Sequence, residues 1–179
     1  MPDVLAPTAA IAAPAWRGRE LSLAAPPGEV IVHLEGLHRT PPADGMPAPR
    51  RCAQVGGGTV LSIGPDTCLW LGREQPSYAL RQRFKAAVDV SGAWTPITLT
   101  GVNALPLLRK GCAVDLHPRH FPEGSCAVTS MAAMRVVLWK PDPSASYGLL
   151  VSRSYAVSFW DWLVEAAAEF QHDATTEQK

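Results

Sequence analysis

The chain predicts an α+β fold, mainly antiparallel sheet with two or three helices, and three observations carry that expectation. Short apolar runs of strand length recur between residues 28 and 151, several of them alternating apolar and polar side chains. The stretches between them are short and rich in Gly, Pro and Asp, which suits hairpins and not the crossovers of a doubly wound parallel sheet. Helical spacing is confined to a few segments, above all residues 154–170. With 179 residues the chain is one domain or two small, closely packed ones, long enough to bury a core.

Taken in order, residues 1–27 are rich in Ala and Pro and read as an arm, with Trp16 as the side chain able to anchor it. The domain proper is expected over residues 28–172, with a division into two subdomains near 75–88 left open, and residues 173–179 as a disordered tail. GEVIVHLEG (28–36) alternates Val30, Val32 and Leu34 against Ile31 and His33, a strand pattern. Residues 40–51 form a loop dense in Pro and Gly. Strands follow at 59–63 and 68–71, joined by the turn Gly64-Pro65-Asp66-Thr67.

Pro76 is expected to open a helix through about Ala87, with Leu80, Phe84 and Val88 at core spacing and Arg81, Arg83 and Lys85 outside. Residues 89–92 (DVSG) end one strand and turn into another, 94–100, in which Ile97 and Leu99 oppose Thr98 and Thr100. Asn103 then caps a short helix that closes at Gly111, with Pro106 tolerated in its first turn. After an irregular stretch, 112–124, come strands at 125–131 and 134–139, a Pro-Asp-Pro turn, a last strand at 147–151 and the terminal helix.

Composition excludes some functions. The chain is 47% hydrophobic and 18% charged, with formal net charge +0 and no Lys/Arg run, which argues against nucleic acid or an anionic membrane as main partner. No apolar run approaches the roughly 20 residues of a membrane span. Prolines and the lack of early positive charge set residues 1–14 apart from a secretory leader. The four cysteines form no CxxC pair, so reduced thiols in the cytoplasm are the expectation.

Chemistry-bearing constellations are few. Gly56-Gly57-Gly58 leads into TVLSI, a strand, so the helix dipole that a phosphate loop requires is missing and a hairpin or loop is expected. Cys112, His117, His120 and Cys126 offer zinc-compatible ligands, but their spacing is not that of a finger, and a structured loop is the simpler reading. There is no G-x-S-x-G elbow and no local Cys–His context of a thiol protease. Asp89 and Asp115 are isolated carboxylates suited to turns or caps. Trp70, Trp94 and Trp139 fall in or beside strands, where core packing is the default. No catalytic, cofactor-binding or metal site is assigned.

The terminal helix, SYAVSFWDWLVEAAAEF, presents a different problem. Its polar side chains Ser158, Asp161, Glu165 and Glu169 fall in one narrow strip, leaving roughly two thirds of the circumference apolar against the usual stripe of about 100° or somewhat more. Trp162 lies at the edge of the acidic strip and cannot share one flat buried face with Trp160. The helix must bury two sides, and Trp is enriched at interfaces. Phe159, Trp160, Trp162 and Phe170 are therefore the candidate subunit-interface residues, with at least one of the tryptophans assigned to a partner.

Three stretches together resemble the gamma subunit of heterotetrameric sarcosine oxidase: DVSGAWTPITLTG (89–101) followed by Leu107-Leu108-Arg109-Lys110-Gly111-Cys112; Asp115-Leu116-His117-Pro118-Arg119 with Phe121-Pro122, Gly124 and Cys126; and LLVSRSYAVSFWDWLVEAAAEF (149–170). GPDTCLWL (64–71) is similar to a further element of that family. The resemblance covers about residues 60–170. Where many members carry DVSH, this chain has Gly92. The resemblance implies a fold similar to part of the folate-binding aminomethyltransferase (glycine-cleavage T-protein) and a noncatalytic place in a flavoenzyme complex. It further implies alpha and beta partner subunits holding FAD, FMN and NAD, tetrahydrofolate as one-carbon acceptor, and a small delta subunit holding zinc. Complexes acting on other N-methylated amines, of the dimethylglycine or N-methylglutamate type, have similar small subunits. A free-standing folate-binding module is the alternative.

Overall fold

A computed structural model describes residues 10–11, 15–37 and 46–171. Every strand pairing within them is antiparallel, and the strands form two sheets. The six-stranded sheet contains β1 (Ala15–Gly18), β2 (Leu21–Ala24), β8 (Trp94–Thr100), β9 (Cys126–Met131), β10 (Met134–Trp139) and β11 (Ser146–Ser152), in the order β1-β2-β8-β11-β10-β9. The five-stranded sheet contains β3 (Val30–Leu37), β4 (Cys52–Val55), β5 (Gly58–Ser62), β6 (Thr67–Gly72) and β7 (Phe84–Asp89), in the order β4-β5-β6-β3-β7. With α1 (Tyr78–Arg81), α2 (Ala104–Arg109) and α3 (Ala156–Ala167), the α+β, mainly antiparallel expectation holds.

The strand sequences explain the layering. Val136-Val137-Leu138-Trp139 in β10 and Tyr147-Gly148-Leu149-Leu150-Val151 in β11 are apolar without alternation, and all nine residues are buried. Such runs fit strands covered on both faces. Val136, Leu138, Leu149 and Val151 pack with Leu107 and Leu108 of α2 and Phe159, Trp160 and Leu163 of α3. Val137, Trp139 and Leu150 pack on the opposite face with Ile31, Leu61, Leu69 and Leu71 of the second sheet. The outer face of that sheet is closed by Val32, Leu34, Val60, Trp70, Leu80 of α1 and Phe84. The order of layers is thus α2/α3, six strands, five strands, α1.

Two expectations change, and one strand is added. The described part of the N-terminal arm is no loose arm: β1 and β2 form a hairpin, and β2 pairs with β8 through Leu23 opposite Leu99, burying Leu21 and Leu23. The helix expected over 76–87 stops after one turn, capped by the Ser77 hydroxyl, which accepts from the Leu80 amide. The chain then extends as β7 along β3, with Val88 opposite His33 and 55% exposed. Spacing of Leu80, Phe84 and Val88 suits a helix, but only the first two are buried, and the free edge of β3 offers a full ladder of backbone bonds. The added strand is β4, which begins at Cys52 where the expected loop ends and pairs with β5. The arm's residues 1–9 and 12–14, the loop's residues 40–45 and the tail 173–179 lie outside the described residues.

The DVSG segment has a structural task. Asp89 Oδ1 accepts from the Ser91 amide (2.9 Å) and hydroxyl (2.6 Å), and Gln75 donates to Oδ2 (2.6 Å). The Ser91 hydroxyl in turn accepts from the Ile31 amide at 2.9 Å. This bracket holds the 3-10 turn Ser91–Ala93, where the chain passes from one sheet to the other.

Candidate functional site

The Cys–His stretch is a structured loop. Asp115 Oδ1 accepts from the His117 amide (2.9 Å), Asp115 Oδ2 meets His120 Nδ1 at 2.5 Å, and His117 Nδ1 accepts from the Arg119 amide at 3.2 Å. Cys126 and His120 both line one surface depression. Cys126 is buried between the sheets, and Cys112 sits in an isolated bridge opposite Met131. Burial pushes the Cys126 thiol up to about 12 and raises that of Cys112. No group of three His, Cys, Asp or Glu able to hold a metal occurs among the described residues. Asp115 titrates low because His120 and the His117 amide bond its charged form.

Gly56 and Gly57 form the turn between β4 and β5, both in the left-handed region at φ +60° and +81°. This is the geometry of a two-residue hairpin turn, which glycine enters without strain. The amides precede a strand, so a dinucleotide phosphate has no helix terminus to meet there.

A cleft of about 170 Å³ opens between residues 25–29, the 91–96 segment and Arg153. Arg73 donates to the Pro27 carbonyl at its rim (3.2 Å), and burial raises the carboxyl of Glu29, with Arg73 opposing. Gly92 faces open space: a Cβ there would meet nothing within 4 Å. The volume is below the roughly 300–1,000 Å³ of sites that enclose a drug-sized molecule. Sequence reasoning did not find this cleft, because the contact between the turns Ser91–Ala93 and Arg153–Tyr155 joins segments some 60 residues apart with no local signal.

The terminal helix accounts for most of its own apolar surface. Phe159 (0% exposed), Trp160 (5%), Leu163 and Ala167 face the six-stranded sheet. Trp160 is thus enclosed by this chain, and Phe159 likewise, so neither offers area to a partner in this conformation. Trp162 is half-buried, stacked on Phe159 with ring centroids 5.9 Å apart, and it rests on Gly111, where a Cβ would lie 2.5 Å from its ring. The far end is held by the N-terminal hairpin and by α2. Arg19 donates its amide to the Phe170 carbonyl (2.6 Å), and Lys110 bonds the Ala166 carbonyl, pairs with Glu169 at 2.5 Å and lies over the Phe170 ring at 5.1 Å. What stays open is two flanks of α3 on either side of its buried face, half-buried Trp162 on one and half-buried Val164 on the other, with Tyr155 and Val157, each 55% exposed, near its start.

Comparison with known proteins decides the family. The family model described as "Sarcosine oxidase, gamma subunit family" matches residues 52–169. The chain belongs to the sarcosine oxidase gamma subunit family. Among curated relatives, this gamma-family chain is 34% identical over 122 residues to sarcosine oxidase subunit gamma of Corynebacterium sp. (strain U-96), covering 65% of this chain and 59% of that one. It is 31% identical over 136 residues to the subunit of the same name from Arthrobacter sp, covering 70% and 66%. The match spans about three fifths of the length of the two Corynebacterium relatives. Among solved structures, the gamma-family fold is similar to a chain of heterotetrameric sarcosine oxidase from Corynebacterium sp. U-96 in complex with pyrrole 2-carboxylate, with a TM-score of 0.73, 26% identity and 93% of each chain covered. No helix among the described residues is long and apolar enough to cross a membrane.

Proposed function

We propose that this chain is the small, noncatalytic structural subunit of a heterotetrameric sarcosine oxidase-like flavoenzyme complex. Its partners are the larger alpha and beta subunits and a small delta subunit. The complex oxidatively demethylates sarcosine to glycine, with the one-carbon unit passed to tetrahydrofolate. FAD, FMN and NAD reside on the larger subunits and zinc on the delta subunit. The observation that carries this reading is the structural likeness over 93% of both chains to a chain of a heterotetrameric sarcosine oxidase, joined to the family match over residues 52–169. The chemistry of the candidate side chains supports the division of labour: Asp89 and Asp115 are engaged in turns, and Cys52, Cys68 and Cys126 are buried with raised pKa values. Its assembly surface is then the flank of α3 beside Trp162 and Phe170.

The test is mild purification of the tagged full chain from its source cells, followed by an absorption spectrum and identification of the co-purifying chains. The expected result is flavin absorbance with two larger chains and one small one. Recovery of the chain alone and colourless, while it remains folded, overturns the reading. Saturable binding of a reduced folate by that isolated chain would replace it with a folate-binding module.

A further inference from the structure

We infer that the surface dent formed by Arg50, Arg51, Arg119 and His120 docks a carboxylate-bearing segment of a partner subunit; this rests on the assembly role proposed above. The whole chain is formally neutral, yet three arginines with exposed side chains converge here from two distant parts of the sequence, around a depression of about 370 Å³ whose apolar lining includes Phe121 and Pro122. The backbone fixes where these side chains start. Arg50 is held in the left-handed region, φ +62°, by two bonds: its amide donates to Ser62 (3.1 Å) and its carbonyl accepts from the Cys126 amide (2.9 Å). A non-glycine residue held there is strained, and such strain gathers at functional surfaces.

Arg51 is already set. Its guanidinium donates to the Glu123 carbonyl (2.8 Å) and the Ser125 hydroxyl (3.3 Å), leaving the rest of its five N–H donors for a ligand. Arg50 and Arg119 make no ion pair among the described residues, and His120 is braced by Asp115.

The backbone decides what kind of anion suits the site. A free phosphate is ordinarily cradled by main-chain amides. Here the amides of Arg50, Arg51, His120, Phe121, Ser125 and Cys126 all donate to carbonyls within the chain, the Arg119 amide donates to His117, and the prolines have none. Recognition is left to guanidinium forks over an apolar floor. Forks form two parallel bonds with carboxylates and phosphates alike; the choice of a peptide carboxylate rests on the apolar floor beside them, which suits the stem of an Asp or Glu side chain.

The test uses the assembled complex from source cells, with two variants of the full chain. R119K keeps the positive charge and supplies a primary amine that a carbodiimide condenses with an adjacent carboxylate, with loss of water. Mass spectrometry is expected to find position 119 joined to an Asp or Glu of another subunit. R50E/R119E is expected to lower the flavin recovered per tagged chain by about tenfold at physiological salt, through like-charge repulsion at a docked pair, while its melting temperature as an isolated chain stays at the wild-type value. Unchanged flavin recovery with R50E/R119E, or no inter-chain link at position 119, overturns the docking site and leaves the assembly role standing. Wild-type chain recovered without flavin overturns both.

Discussion

Burial governs the chemistry of three cysteines. Burial raises the thiols of Cys52 and Cys68 to about 11, with Arg51 pulling the first back and Ser62 the second, and raises Cys126 to about 12. At pH 8 a thiol with a pKa near 11 is thiolate in roughly one molecule per thousand, and the thiolate is the nucleophile. An aromatic disulfide reagent should therefore leave these three thiols unmodified in the native protein and label all four cysteines after unfolding. Rapid native labelling would contradict the packing of Cys52 and Cys126 between the sheets, or of Cys68 beneath α1 on the outer face of the five-stranded sheet.

Asp89 is tuned in the opposite direction. Hydrogen bonds from the Ser91 side chain and amide hold its carboxyl below the ordinary 3.8. A carboxyl depressed in the folded state contributes stability that is present above its unfolded pKa and is lost as pH falls through the folded value. Because the site is exposed and screened, D89A should cost about 1 kcal/mol at neutral pH, or about 2–4 °C in melting temperature. That deficit should narrow as pH drops below 3.8. A deficit independent of pH between 2 and 7, in a thermal melting series, would remove the charged form from the account.

At the scale of elements, α3 separates two tryptophans that sequence alone set on different faces. Trp160 is closed within the core, so W160A should destabilise the isolated chain by about 3–5 kcal/mol. Trp162 is half-buried against Phe159 and Gly111, so W162A should cost less in folding and more in recovery of the complex. Equal losses of folding stability, measured by denaturant titration, would place both in one core. The turn between β4 and β5 gives a second check. Open space surrounds Gly57 at φ +81°, so G57A should cost about 1–2 kcal/mol through backbone strain alone.

These elements also show what the sequence can and cannot disclose. Strands β10 and β11 were legible as unbroken apolar runs, because burial on both faces leaves a local mark; α2 does lie between Asn103 and Gly111, but the Asn103 side chain makes no cap bond and instead donates to the Arg19 carbonyl at 3.0 Å, a contact with the N-terminal hairpin that has no local signal. The hairpin of β1 and β2 left none: four-residue strands in an Ala/Pro-rich stretch derive their stability from pairing with β8, 74 or more residues away. Likewise β7 spells a passable helix until β3 is beside it. The candidate interface was legible only in part. The helix pattern showed that two sides need cover, but not that Lys110, Gly111 and the Gly18–Arg19 turn supply much of the second side.

At the scale of the whole molecule, two sheets lie back to back with helices outside. The surfaces proposed for its role are the α3 flank and the arginine dent. The central claim is that this gamma-family chain works only as one subunit among several. Native mass spectrometry of the tagged full chain, isolated gently from its source cells, tests that most directly. The account predicts one copy of this chain in a four-polypeptide assembly that also carries the mass of bound flavin. A spectrum showing only this chain, alone or with copies of itself, would contradict it.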